Sequence, residues 1–494
     1  MSGDLETIRR LHAWHAGRPI DRGSVLNVHM ASDRDAMVVA FVRMGGESRP
    51  WGVAIGTLAD GPRVFTVPEA RNRDLVADMM LEVAPVLLGH FRHPNWSDDG
   101  PGGFQTQSLR QIWLPGPTHV EMLQFLAAAY ARTRWERPQV DTLRALGNLC
   151  NALFIEAQRP GQQMVMSATD AVRSAHVFPT SPVRQGHLEH LLGWLVGEGD
   201  RDVRAERAHL AEKRSVSTVL DPETERRDIE PLVSAWGVDR SDEPARAIHR
   251  VLSAELERRW SITASAVDVL RQDRRAPNSH LSTLVAKTAK SFYRSWGERV
   301  LNEAAGLPPF WPNVFTDRNA RGAAGSYHAR VADHDEARLL LMHGDRELQR
   351  EELASGKGAI ITIESASADM WIVHYDYPEF TTIEAGKTLT IAGHPKMRLQ
   401  VRDVDSSTRR MTLEPGWKRA KSSSKHEWAS HDSRWIDARL VLLPDSPTQI
   451  AWRKIEAARA SVDIDITALL QAPPTRHAAF DDDGVVAETV EVDS

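Results

Sequence analysis

The 494-residue sequence contains a single cysteine, Cys150. One thiol can close no disulfide within the chain and build no cysteine-based zinc knuckle, and cysteine this sparse fits a reducing cytosol. Long apolar runs are also missing: charge interrupts every apolar stretch well before the roughly 18 residues of a membrane span. The opening MSGDLETIRR leads into no apolar run, so no secretory leader is expected. Self-similarity at a fixed period is absent, which argues against a repeat solenoid. Nor is there a dominant charge. The formal net charge is −6, and six acids (Asp481, Asp482, Asp483, Glu488, Glu491, Asp493) stand without a base in the last fourteen residues, so the remainder is neutral. A protein basic throughout is excluded, and any anion site has to be a local patch.

Familiar catalytic signatures are lacking too. No G-x-S-x-G elbow, no H-E-x-x-H and no E-x-K after a strand-borne Asp occurs. Gly386-Lys387-Thr388 suggests a phosphate loop, but Thr381 stands where the pattern needs glycine, and a β-type run follows instead of a helix. His187 and His190, like His12 and His15, have metal-compatible spacing without a third ligand nearby and are expected on the surface. The expectation is therefore no cofactor, no metal and a binding protein rather than an enzyme.

With 41% hydrophobic and 26% charged residues the chain is ordinary globular material, too long for one domain. Residues 1–93 read as an α+β domain. A helix over Leu5–Ala16 precedes strands at Val25–Met30, Ala36–Arg43, Trp51–Thr57 and Arg63–Val67, an antiparallel meander covered by a helix over Asn72–Phe91 that Pro85 should kink or restart. A Pro/Gly/Asp-rich linker spans 94–103. Residues 104–304 read as an irregular all-α domain, beginning with an αα-hairpin whose first helix has a capping box at Thr118–Glu121. Its later helices fall at Gln185–Leu195, Asp202–Arg214, Pro244–Trp260 and Leu281–Leu301. A second linker, 305–335, precedes a small OB-like or SH3-like β-barrel in 336–460 with a closing helix at Ile450–Ala460, and the acidic tail, 461–494, is expected to be disordered.

The barrel stretch carries the best functional clue. Its strands, Ala359–Glu364, Met370–Tyr375, Thr388–Ala392, Met397–Val404, Arg410–Glu414 and Asp437–Leu443, contain and flank nine basic residues against three acidic ones between Lys396 and Lys425. Arg398 and Arg402 share the outward face of one strand, opposite Leu399 and Val401. Lys418, Arg419, Lys421 and Lys425 follow in a Ser-rich loop beside Trp417. Cations neutralise phosphates and an aromatic ring can stack on a base, so this patch is a candidate nucleic-acid site. The leading reading is a cytoplasmic bacterial accessory protein that binds DNA or RNA through the barrel and partner proteins through the rest, with no membrane contact. One alternative is a metal-independent RNase using Arg204 and His209, whose R-x4-H spacing matches that of HEPN ribonucleases, although Ala205 replaces the usual polar residue. A non-catalytic scaffold is the other.

Overall fold

The computed structural model describes residues 3–22, 28–46, 48–91, 110–158, 163–273, 281, 285, 335, 337–367, 369–379, 381–416 and 437–445. Helix α1 (Gly3–Ala16) and the short β1 (Ile20–Asp21) lead into β2 (Ala36–Arg43), β3 (Pro50–Thr57) and β4 (Arg63–Thr66), the expected meander. Helix α2 (Arg73–His90) follows, capped by Asn72, whose side-chain Oδ1 accepts from the amides of Asp74 and Leu75. It runs unbroken through Pro85, whose ring lies on the exposed side. No strand forms over residues 28–30; Val25 to Asn27, the 94–103 and most of the 305–335 linkers, the helix at Ile450–Ala460 and the acidic tail lie outside the described residues.

The central region is not all-α as expected. It contributes β5 (Gln111–Leu114) and β6 (Val165–Ser167), which extend the N-terminal sheet by parallel pairing, giving the order β4-β3-β2-β5-β6. Helices α3 (Pro117–Tyr130) and α4 (Val140–Ala157) form the expected hairpin between those two strands. The cap of α3 differs from expectation: it begins at Gly116 with Pro117 in the first turn and no side-chain cap, so the Thr118–Glu121 box does not form. Helix α5 (Ala168–Ala175), β7 (His176–Val177), α6 (Leu188–Leu195) and α7 (Arg201–Glu212) follow. A 31-residue helix, Asp242–Gln272, then packs on β2, β3 and β4.

Strands β2 and β3 are buried at seven of eight positions each, so both faces of the sheet centre are covered. Gly52 permits the long helix its close approach, since a Cβ there would lie 2.7 Å from Leu256 Cδ1. The resulting apolar core is one cluster that extends from Val28 to Val285, across the expected boundary at 93–104.

Strand β5 is half as long as β2, and the half of the β2 edge beyond it is completed by two side chains and a backbone carbonyl. The Phe41 amide donates to His119 Nδ1 at 3.1 Å, the Phe41 carbonyl accepts from Arg259 at 2.7 Å, and the Arg43 amide donates to the Thr218 carbonyl at 2.8 Å. Arg259, 1% exposed, also donates to the carbonyls of Thr218 and Val219 and pairs with Glu255 at 2.9 Å. Because His119 Nδ1 accepts, its proton sits on Nε2, which donates to the Val216 carbonyl at 2.7 Å. Burial, reinforced by the charge of Arg259, lowers the His119 pKa to about 3, so the ring is neutral.

Residues 359–445 form the barrel. Strands β8 (Ala359–Ala366), β9 (Trp371–Tyr377), β10 (Thr388–Ile391), β11 (His394–Asp405), β12 (Arg410–Pro415) and β13 (Arg439–Pro444) close in the order β10-β11-β12-β9-β8-β13, each neighbour antiparallel. All six match expected strands; an OB-fold has five. Ile361, Ile363, Val373, Tyr375, Leu399, Val401 and Leu413 fill the interior at alternate positions. A helix at 337–344 and the helix Arg346–Ala354 lead into the barrel, and Arg9 of α1 pairs with Glu347 of the latter.

Two tests follow. Arg259→Ala removes a buried guanidinium together with its pairing to Glu255 and its bonds to three carbonyls and should lower unfolding free energy by about 3–5 kcal/mol, whereas Arg246→Ala, at an exposed pair with Asp242, should cost about 0–1 kcal/mol; equal losses in urea denaturation would contradict the assignment. The second concerns pH. The folded pKa values of His119 and His90, about 3 and about 4, lie below the ordinary 6.5, so their contribution to stability is complete above 6.5 and is lost as pH falls towards those values. Stability should drop between pH 7.5 and 5, by up to about 1.4 kcal/mol per pH unit for each buried histidine. His119→Gln should reduce that slope; an unchanged slope would contradict it.

Candidate nucleic-acid interface

The barrel wall displays its arginines outward, as the alternation predicts: Leu399 and Val401 are buried while Arg398 and Arg402 reach the surface. Their charge, however, is already answered. Arg398 pairs with Asp445 at 3.0 Å, Arg402 with Glu414, Arg409 with Glu379 at 3.2 Å, Arg410 with Glu364 at 2.9 Å and Arg439 with Asp376 at 3.5 Å. Every wall arginine among the described residues thus meets a carboxylate, and residues 356–416 with 437–445 carry eight basic residues against ten acidic ones. Exposed pairs of this kind stabilise little, but a phosphate approaching Arg402 would have to displace Glu414.

Trp417, Lys418, Arg419, Lys421 and Lys425 lie outside the described residues. Residues 417–436 hold five basic residues, two acids and three tryptophans (Trp417, Trp428, Trp435). The strands they connect are three places apart in a ring of six, so β12 ends and β13 begins on opposite sides of the barrel. Alternating strand directions put both points at the same end. The two described ends, Gly416 beside the Arg398 carbonyl and Asp437, therefore lie on opposite walls at the same end of the barrel.

The other expected pair does not converge. Arg204 donates to the Gly199 carbonyl and the Trp194 carbonyl, each at 2.9 Å, closing the C-terminal end of α6. His209 is exposed, and five residues along a helix turn it about 140° away from Arg204. Of His187 and His190, His190 is buried, not on the surface. Its Nε2 accepts from the Trp194 indole at 3.3 Å and its Nδ1 faces the Ala208 carbonyl at 3.2 Å; burial lowers its pKa. That site exists because α6 and α7 cross closely, a Cβ on Gly193 falling 2.6 Å from Ala208 Cα. His12 and His15 are exposed, and among the described residues no group of three or more His, Cys, Asp or Glu is placed to hold a metal ion.

A cleft of about 650 Å3 lies between α3, α4, α5 and the 337–344 helix. Glu121, Gln124, Gln158 and Asp170 form its polar side, and no basic residue lines it, which suits it poorly to phosphate. A better concentration of positive charge surrounds Trp135. It escaped the sequence reading because its arginines come from three separate stretches, although Arg132-Thr-Arg-Trp-Glu-Arg137 was a visible signal. Among the described residues no helix is long and apolar enough to cross a membrane. No protein-family model, curated protein or solved structure matches the chain.

The geometry at α7 gives a test. Arg204→Ala should destabilise the fold by about 1–2 kcal/mol through two lost charge-assisted hydrogen bonds, and His209→Ala should stay within about 0.5 kcal/mol. Melting curves in which both variants match the parent would contradict the structural role of Arg204.

Proposed function

We propose that this chain is a cytoplasmic bacterial accessory protein that binds nucleic acid at one end of its C-terminal barrel. The observation carrying the proposal is the division of charge. The wall arginines are neutralised in place by Asp445, Glu414, Glu379, Glu364 and Asp376, while the connection from β12 to β13 keeps a net excess of three positive charges together with three tryptophans. A closed barrel also offers no free strand edge, so a ligand has to be held by side chains and loops rather than by an added strand. The basic residues then supply phosphate contacts and the indoles stacking surfaces, a combination tolerant of sequence.

Contacts with partner proteins form the other half of the proposal. Helix α1 presents Ile8 and Leu11, 63% and 55% exposed, three residues apart and therefore neighbours on its surface. The ribonuclease reading gains no support, because the hydrogen bonds of Arg204 are taken by backbone carbonyls.

The test is to replace Lys418, Arg419, Lys421 and Lys425 together by Ala and to measure binding to single- and double-stranded ligands at two salt concentrations. Affinity should fall, and the slope of log affinity against log salt on a duplex should flatten by about 3–4 if all four meet phosphates. Unchanged affinity and slope would refute the proposal.

A further inference from the structure

The surface around Trp135 joins the start of α2, the β2–β3 connection and the α3–α4 connection. Arg73 Cζ stands 4.0 Å from the Trp135 ring centroid and Arg137 Cζ 4.7 Å, so one indole holds two guanidinium groups no more than 8.7 Å apart. Thr133 fixes the loop, its hydroxyl receiving the Trp135 amide at 3.3 Å and its carbonyl receiving Arg144 at 3.0 Å. Arg49 donates to the Arg71 carbonyl at 2.8 Å, which brings it to the same surface, and Arg49, Arg137 and Arg73 all act on the buried hydroxyl of Tyr130. Burial raises that pKa to about 12 despite them, so the phenol adds no negative charge.

The charges here are differently disposed from those on the barrel. Arg137 gives one nitrogen to Asp78, but its Nε and other terminal nitrogen are buried without a hydrogen-bond partner among the described residues. Arg49, Arg73 and Arg134 are exposed and make no ion pair there, although Asp74 and Glu136 are their near neighbours in sequence. Stacking on the indole fixes the plane of the Arg73 guanidinium, one of whose nitrogens reaches the Thr133 hydroxyl at 3.5 Å while the group remains exposed, an arrangement that suits a phosphate.

We propose that this arginine surface is a second nucleic-acid site, one that grips the phosphate backbone of a duplex without reading its bases. Density of charge favours that ligand over an acidic peptide. An all-acidic strand carries one charge per about 3.3–3.6 Å, whereas duplex DNA carries one per about 1.7 Å, and three unpaired guanidinium groups from three stretches are better matched by the denser array. The site lies on the sheet-and-helix core and stands or falls independently of the barrel loop.

The full chain carrying the fourfold loop replacement separates the two sites. Anisotropy with a labelled duplex, from about 50 to 200 mM salt, should still detect binding, and adding R49Q, R73Q and R134Q should flatten the log–log slope by about 2.7 and weaken binding at least about tenfold at the lower salt. Arg134→Gln alone makes no described contact to lose and should flatten the slope by about 0.9. Slopes unchanged in both variants would overturn the proposal. So would poly-L-glutamate binding as tightly as the duplex and losing the same affinity in the triple variant, an outcome that identifies an acidic protein as the partner.

Discussion

An eight-residue strand paired to a four-residue one leaves backbone groups that must find partners inside the protein, and the fold is organised around meeting that need at Phe41 and Arg43. Water is excluded there, and an unpaired buried amide or carbonyl costs about 1–3 kcal/mol. His119 from α3, Arg259 from the Asp242–Gln272 helix and the 216–219 segment meet at this edge, so three distant parts of the chain are ordered together. The neutral histidine and the guanidinium are complementary. One accepts where the strand donates, and the other donates where it accepts. Glu255 keeps Arg259 charged and paired, and also binds Arg258, which reaches the carbonyls of Arg214 and Ser215 and anchors the start of the same segment.

The same accounting of charge separates neutralised surfaces from those where positive charge is in excess. On the barrel wall each described arginine has a carboxylate partner elsewhere in the barrel, and Arg204 has spent its donors on backbone carbonyls at the end of α6. Around Trp135 and in the 417–436 connection, positive charge exceeds the acids at hand. A chain neutral outside its acidic tail can in this way hold local surfaces of strong positive potential without being basic as a whole.

Alternation made the barrel legible in the sequence, since β8, β9 and β12 each have a wet and a dry face and period two is hard to mistake. The sheet centre was harder. Gln111–Leu114 and Val165–Ser167 are too short to show a period, and their burial on both faces removes the alternation that would mark them. Missing them turned an extension of the N-terminal sheet into an apparent all-α region and put a boundary where the core is continuous. At the site the exposure of Arg398 and Arg402 was readable from strand parity, but their neutralisation was not, because Asp445 is 47 residues beyond Arg398. The arginines around Trp135 were hidden likewise. Arg49 and Arg73 come to the Trp135 loop only through tertiary packing, so a search along the sequence for runs of charge passes over them.

The central claim is that the edge of β2 binds the N-terminal sheet and the central helices into one cooperative unit. Native-state hydrogen exchange across a denaturant series tests it directly. The account predicts that the slowest amides of Ala36–Arg43, Gln111–Leu114 and the Asp242–Gln272 helix converge on one opening free energy with one denaturant dependence. Separate opening of the meander over residues 36–66 and of the Asp242–Gln272 helix, each with its own free energy and slope, would contradict it.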